Sequence, residues 1–155
     1  MISVSFAKND MGIILTAIGK LKSTVTDGMS ALTSESAKEL ANEIRKNITS
    51  QTFGDFGKSH SKKWAAWKKL HSSNADKYWL HTGLLLKQIN SRQIGPGRWW
   101  VGIDSLRGGK DNPAEYGPII ETERPMFHKT LEIFKPLWNK NAKELIHTMR
   151  MCWHK

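Results

Sequence analysis

The sequence holds a single cysteine, Cys152, among 155 residues. No internal disulfide can form, and a lone thiol fits a reducing compartment. No apolar run approaches the roughly 18 residues needed to cross a bilayer, so no membrane partner is expected. Met1 to Asp10 lack a basic stretch followed by an apolar one, which makes the cytoplasm the expected site of synthesis. Repeats of roughly 20–50 residues, low-complexity tracts and interdomain linkers are also missing, so one domain over 1–155 is expected.

Catalytic signatures are equally scarce. None of His60, His71, His81, His128, His147 and His154 stands at metal-ligand spacing from another histidine or from Cys152. Glu144 and His147 lie three apart, which on a helix is ordinarily a surface pair. Gly95-Pro96-Gly97 and Gly108-Gly109 match neither the phosphate loop nor the dinucleotide fingerprint and read as turns. Glu121 and Glu123 bracket Thr122, so on a strand they would share one face. These features point away from an enzyme and require neither cofactor nor metal.

What the chain does have is localised positive charge. Of a net +10, residues 51–110 carry 11 basic and 3 acidic side chains, for +8, while each flank contributes +1. Such a field attracts nucleic acid or an acidic protein surface. Aromatic residues are interleaved with it. Lys62 and Lys63 precede Trp64, Trp67 precedes Lys68 and Lys69, and Arg98 precedes Trp99 and Trp100. Indoles beside cations grip single-stranded nucleic acid without sequence preference. Tryptophan and arginine also fill cores and protein interfaces. Segment 58–100 therefore carries an alternative reading, a basic nucleic-acid-binding protein.

The pattern of apolar residues predicts an α+β fold. Ile2, Val4 and Phe6 alternate as a short strand. Asn9 or Asp10 would cap a helix bearing Met11, Ile14, Leu15, Ile18 and Leu21. Gly28 is expected to mark a break. A second helix, capped by Thr33 or Ser34, carries the stripe Ala37, Leu40, Ala41, Ile44 and Ile48. Loop-rich segments follow at 51–62 and 105–113. Between them lie a short helix at Trp64–Leu70, a turn or helix at His81–Leu86, and strands at Gln93–Ile94 and Trp99–Ile103 joined by Gly95-Pro96-Gly97. Tyr116, Ile119 and Ile120 suggest a further strand in a small antiparallel sheet. Pro125 opens a C-terminal helix bearing Phe127, Leu131 and Phe134, which Pro136 would kink or split.

Four pieces in order support a resemblance: His81-Thr82-Gly83-Leu84-Leu85, Trp100-Val101-Gly102, Tyr116 with Glu121, and Arg124-Pro125-Met126-Phe127. Together they resemble the tail-completion, or head–tail joining, proteins of tailed bacteriophages. Trp64 to Leu80 is closer to the Mu-type virion morphogenesis proteins. The chain departs from the family where Glu121-Thr122-Glu123 runs almost straight into Arg124-Pro125 without a glycine turn. The resemblance implies a structural virion protein of the neck or tail, made in the bacterial cytoplasm. It further implies copies in a cyclic ring, six-fold in the usual case, between connector and tail-tube proteins, with genomic DNA passing through the lumen. Thr82, Gly83, Gly102, Tyr116, Glu121, Pro125 and Phe127 would be fold residues. Lys62, Lys63, Trp64, Trp67, Lys68, Lys69, Arg98, Arg107 and Arg124 would face a neighbour or the DNA, and Arg124 would pair with Glu121, Glu123 or an acidic neighbour.

Overall fold

The computed structural model describes residues 8–54, 61–72, 77, 79, 83–104 and 113–153, with the side chains of 8–11, 116, 152 and 153 excepted. The expected strand at Ile2–Phe6, Thr82, Arg107 and most of both loop segments lie outside these residues. The fold is α+β: mostly helical, with a two-stranded antiparallel sheet and a C-terminal helix.

One continuous helix, α1 (Lys8–Ser50), replaces the two expected. At 43 residues it is about 65 Å long. It already runs at Lys8, ahead of the expected caps Asn9 and Asp10. Gly28 does not break it, because it is a contact point: a Cβ there would lie 2.6 Å from Met149 Cε and 3.4 Å from Leu145 Cδ1. Helix packing on its bare backbone offsets its weak helix propensity of about 1 kcal/mol. Thr33 is no cap; its hydroxyl donates back to the Met29 and Ser30 carbonyls within the helix.

Helix α5 (Met126–Trp153) lies antiparallel to α1. Leu145 and Met149 meet Gly28 at one end, and Thr130 meets Asn47 at the other, where Asn47 Nδ2 donates to Thr130 Oγ1 at 3.0 Å in a buried contact. Pro136 does not split α5. Its inward face is Met126, Thr130 and Phe134; Leu131, expected to dock the helix, is exposed.

The core forms where the predicted stripe of α1 meets the sheet. Ala41, Ile44 and Ile48 pack with Trp79, Leu85, Ile89 and Met126. Leu85 belongs to the short α3 (Leu84–Gln88), which starts at Gly83 in a left-handed conformation, φ +79°. That is the tight turn its glycine allows. Strands β1 (Ile89–Gly95) and β2 (Arg98–Ile103) pair from Ile89↔Ile103 to Gly95↔Arg98, with a bulge at Ile94 and a turn through Gly97 at φ +62°. Arg45 of α1 ties the sheet down by donating to the carbonyls of Leu86 and Ile89.

The expected strand at Tyr116–Ile120 is instead helix α4 (Pro113–Glu123). Pro113 opens it, where a missing N–H costs nothing. Gly117 lets it approach β2 closely enough that a Cβ would collide with Ile103 Cδ1. Ile119 is exposed and Ile120 half-buried, the pattern of a helix resting one side on the sheet.

Candidate functional site: two exposed surfaces and a junction

Helix α2 (Lys62–His71) carries most of the residues predicted to face a partner. Ser61 caps it, its hydroxyl accepting from Trp64 N at 3.2 Å. Spacing of three and four residues then brings three rings to one face. Trp64 stacks on Trp67 at 4.8 Å between centroids and Trp67 stacks on His71 at 4.6 Å. The two indoles remain 43% and 41% exposed. Lys62, Lys63 and Lys69 are exposed and α2 holds no acidic residue, so its field is positive throughout.

Lys68 corrects the expectation. It flanks the stacked rings but is 2% exposed, and its ammonium donates to the Lys77 carbonyl. Its role is to fasten α2 to the following segment rather than to meet a partner. Arg98 is exposed on the hairpin. Arg124 is largely covered and pairs with Glu123 at 3.5 Å, one of its expected partners.

The second surface is the N-terminal arm of α1. Beyond Gly28 the helix runs on with Ile13, Ile14, Leu15, Ile18 and Val25 exposed. Among the described side chains from Gly12 to Gly28, only Leu21 and Gly28 are half-buried. Sequence periodicity gave the apolar face here but not its exposure, because the face is as apolar as the buried one below it.

The third feature is a junction where predicted fold residues meet. Glu121 does not pair with Arg124. Its carboxylate caps α5, accepting from Phe127 N at 3.1 Å and from His128 N at 2.8 Å. Because α4 is a helix, Glu121 and Glu123 do not share a face as they would on a strand. Burial pushes the Glu121 carboxyl above the ordinary carboxylate range, outweighing the N–H groups of His128, Phe127 and Met126, which pull it down. Trp79 is buried, and its Nε1 donates to the Arg124 carbonyl at 3.1 Å. An apolar cleft of about 260 Å³ remains, lined by Trp79, Trp100, Gly102, Glu121 and Phe127 among others. Gly102 is needed because the Trp100 indole lies against it. The Arg92 guanidinium covers that indole at 4.7 Å and pairs with Asp104 at 3.4 Å.

Among the described residues no cluster of three His, Cys, Asp or Glu side chains forms a metal site, and no helix is long and apolar enough to cross a membrane. The chain matches no family model, no curated protein and no solved structure.

Proposed function

We propose that the protein is a non-enzymatic structural subunit of a tailed-phage virion, acting in the neck or tail end as one copy in a cyclic ring. It completes the tail or joins it to the head connector. The observation that carries this reading is the junction around Glu121. Gly102, Glu121 and Phe127, three of the residues on which the family resemblance rests, line one cleft, and Glu121 caps the helix that Pro125 precedes. Residues scattered along the chain thus serve one structural purpose, which is to fix the angle of α4, β2 and α5. A ring subunit needs that rigidity, since each heterologous contact must repeat without drift for the ring to close. The exposed face of α2 then meets an acidic neighbour or the DNA.

The test is complementation in vitro. Purified protein is added to an extract of cells infected by a phage lacking this gene. Restored infectious particles support the reading, and an extract that already yields infectious particles without the protein sinks it.

One observation favours a second reading, a nucleic-acid-binding protein. The exposed Trp64–Trp67–His71 stack beside lysines is suited to bases and phosphates. Binding of a single-stranded oligonucleotide that weakens steeply with salt, and is lost in Trp64→Ala/Trp67→Ala, would support it.

A further inference from the structure

We infer that the contact between neighbouring copies is made by α2 of one copy seated in a groove between α1 and α5 of the next.

The groove has a volume of about 490 Å³ and runs past the Asn47–Thr130 hydrogen bond. Its α5 wall is apolar. Ile133 and Leu137, four residues apart on one line of the helix, are 64% and 48% exposed beside the buried Phe134. Its α1 wall is acidic. Glu39 and Glu43 are the charged side chains that line the groove, and Glu35 stands one turn before Glu39 on the same side of α1. Lys46 occupies Glu43 at 3.1 Å. Glu35 and Glu39 are exposed, and no ion pair among the described residues engages either. In a chain of net +10 this wall is a local reversal of sign.

Helix α2 presents the complement. Trp67 and Leu70, three residues apart, are 41% and 82% exposed and form one apolar strip. The exposed Lys62, Lys63 and Lys69 surround that strip, and α2 has no carboxylate of its own to neutralise them. Laid in the groove, the strip meets Ile133 and Leu137 while the lysines meet Glu35 and Glu39. An apolar centre holding an indole, rimmed by opposite charges, is the arrangement that gives an interface both affinity and register. The two surfaces are different and lie on different elements of one chain. Every copy therefore offers both, and the contact is heterologous, as a ring requires. A nucleic acid on α2 would account for the lysines and leave the acidic groove without a role, whereas a second copy accounts for both. The inference rests on the ring reading and names the contact that builds it.

Sedimentation velocity of the purified full-length chain at low salt tests it, with wild type set against two variants. Glu35→Lys/Glu39→Lys reverses the groove, and Lys62→Glu/Lys63→Glu/Lys69→Glu reverses α2. All five positions are exposed, so circular dichroism should stay that of the wild type. The wild type should self-associate with rising concentration. Each variant alone should associate at least about tenfold more weakly, because like charges then face each other. The α2 variant lowers the net charge of +10 by six, so general repulsion predicts the opposite for it. An equimolar mixture of the two variants should associate again, since each carries the partner for the other's altered surface. Carbodiimide coupling of mixed ¹⁵N-labelled and unlabelled wild type should join α2 lysines to Glu35 or Glu39 in peptides with one labelled half. A wild type that stays monomeric, a groove variant that associates like the wild type, or a mixture that stays dissociated would each overturn the proposal. These outcomes concern the isolated protein. Their failure removes this contact and leaves the neck reading standing, while infectious particles made without the gene remove the neck reading and leave the contact.

Discussion

Glu121 caps the helix that begins five residues after it: its Oε2 accepts the backbone N–H of Phe127 at 3.1 Å across the Arg124-Pro125 turn. The N-terminus of α5 is held by a side chain from the end of α4, which locks the two helices at one angle. Glu121→Ala removes two hydrogen bonds from a helix terminus and should cost about 1–2 kcal/mol. In a domain of this size that lowers Tm by about 2–4 °C per kcal/mol, readable by calorimetry.

The same residue predicts a pH dependence. Its folded-state carboxyl holds a proton to higher pH than in the unfolded chain, chiefly through burial. Its titration therefore favours the folded state fully below the unfolded carboxylate pKa, and this contribution is lost as pH rises through the folded value. Glu121→Gln keeps an acceptor and does not titrate. In urea unfolding, the stability of the wild type relative to Glu121→Gln should fall between acid and neutral pH. A difference that grows with pH would contradict the assignment.

The lysines of α2 separate into two kinds. Glutamate at the exposed Lys62, Lys63 and Lys69 should leave Tm nearly unchanged while abolishing assembly or anionic binding. Glutamate at the buried Lys68 should unfold the segment, because it puts an unpaired charge where an ammonium met the Lys77 carbonyl. Thermal melts of the two variants side by side check this.

Asn47 and Thr130 offer a clean coupling measurement. Thr130→Val strands the buried Asn47 amide and should cost about 1–3 kcal/mol. Thr130→Val combined with Asn47→Ala should cost less than the sum of the singles, by about 1 kcal/mol, in a double-mutant cycle.

At Gly28, alanine should be close to neutral, since the crowded atom is the flexible end of Met149 and helix propensity improves. Leucine should destabilise by about 1–3 kcal/mol by forcing α5 away. Denaturant midpoints decide both.

The legible parts of the fold were those where pattern and local chemistry agreed. The stripe Ala37–Ile48 became the core face, Gly95-Pro96-Gly97 turned the hairpin, and Gly83 took its positive φ. The misread parts share a cause: a residue whose local propensity was overridden by a distant neighbour. Gly28 looks like a breaker until Met149 and Leu145 are placed against it. Tyr116 to Ile120 look like a strand until Pro113 and Gly117 are seen to start a helix and pack it on Ile103. Lys68 reads as surface because nothing in its own helix announces the Lys77 carbonyl. Of the candidate surfaces, the charge and aromatic content of α2 was visible in the sequence. The stacking of its rings, the exposure of the α1 arm and the capping by Glu121 depend on which helices end where, and only the assembled chain reveals that.

The central claim, a neck or tail-end subunit, is met most directly by electron microscopy of particles made by a phage carrying an amber mutation in this gene. Filled heads beside separate, full-length tails are the predicted result. Normal joined virions of full infectivity would contradict it.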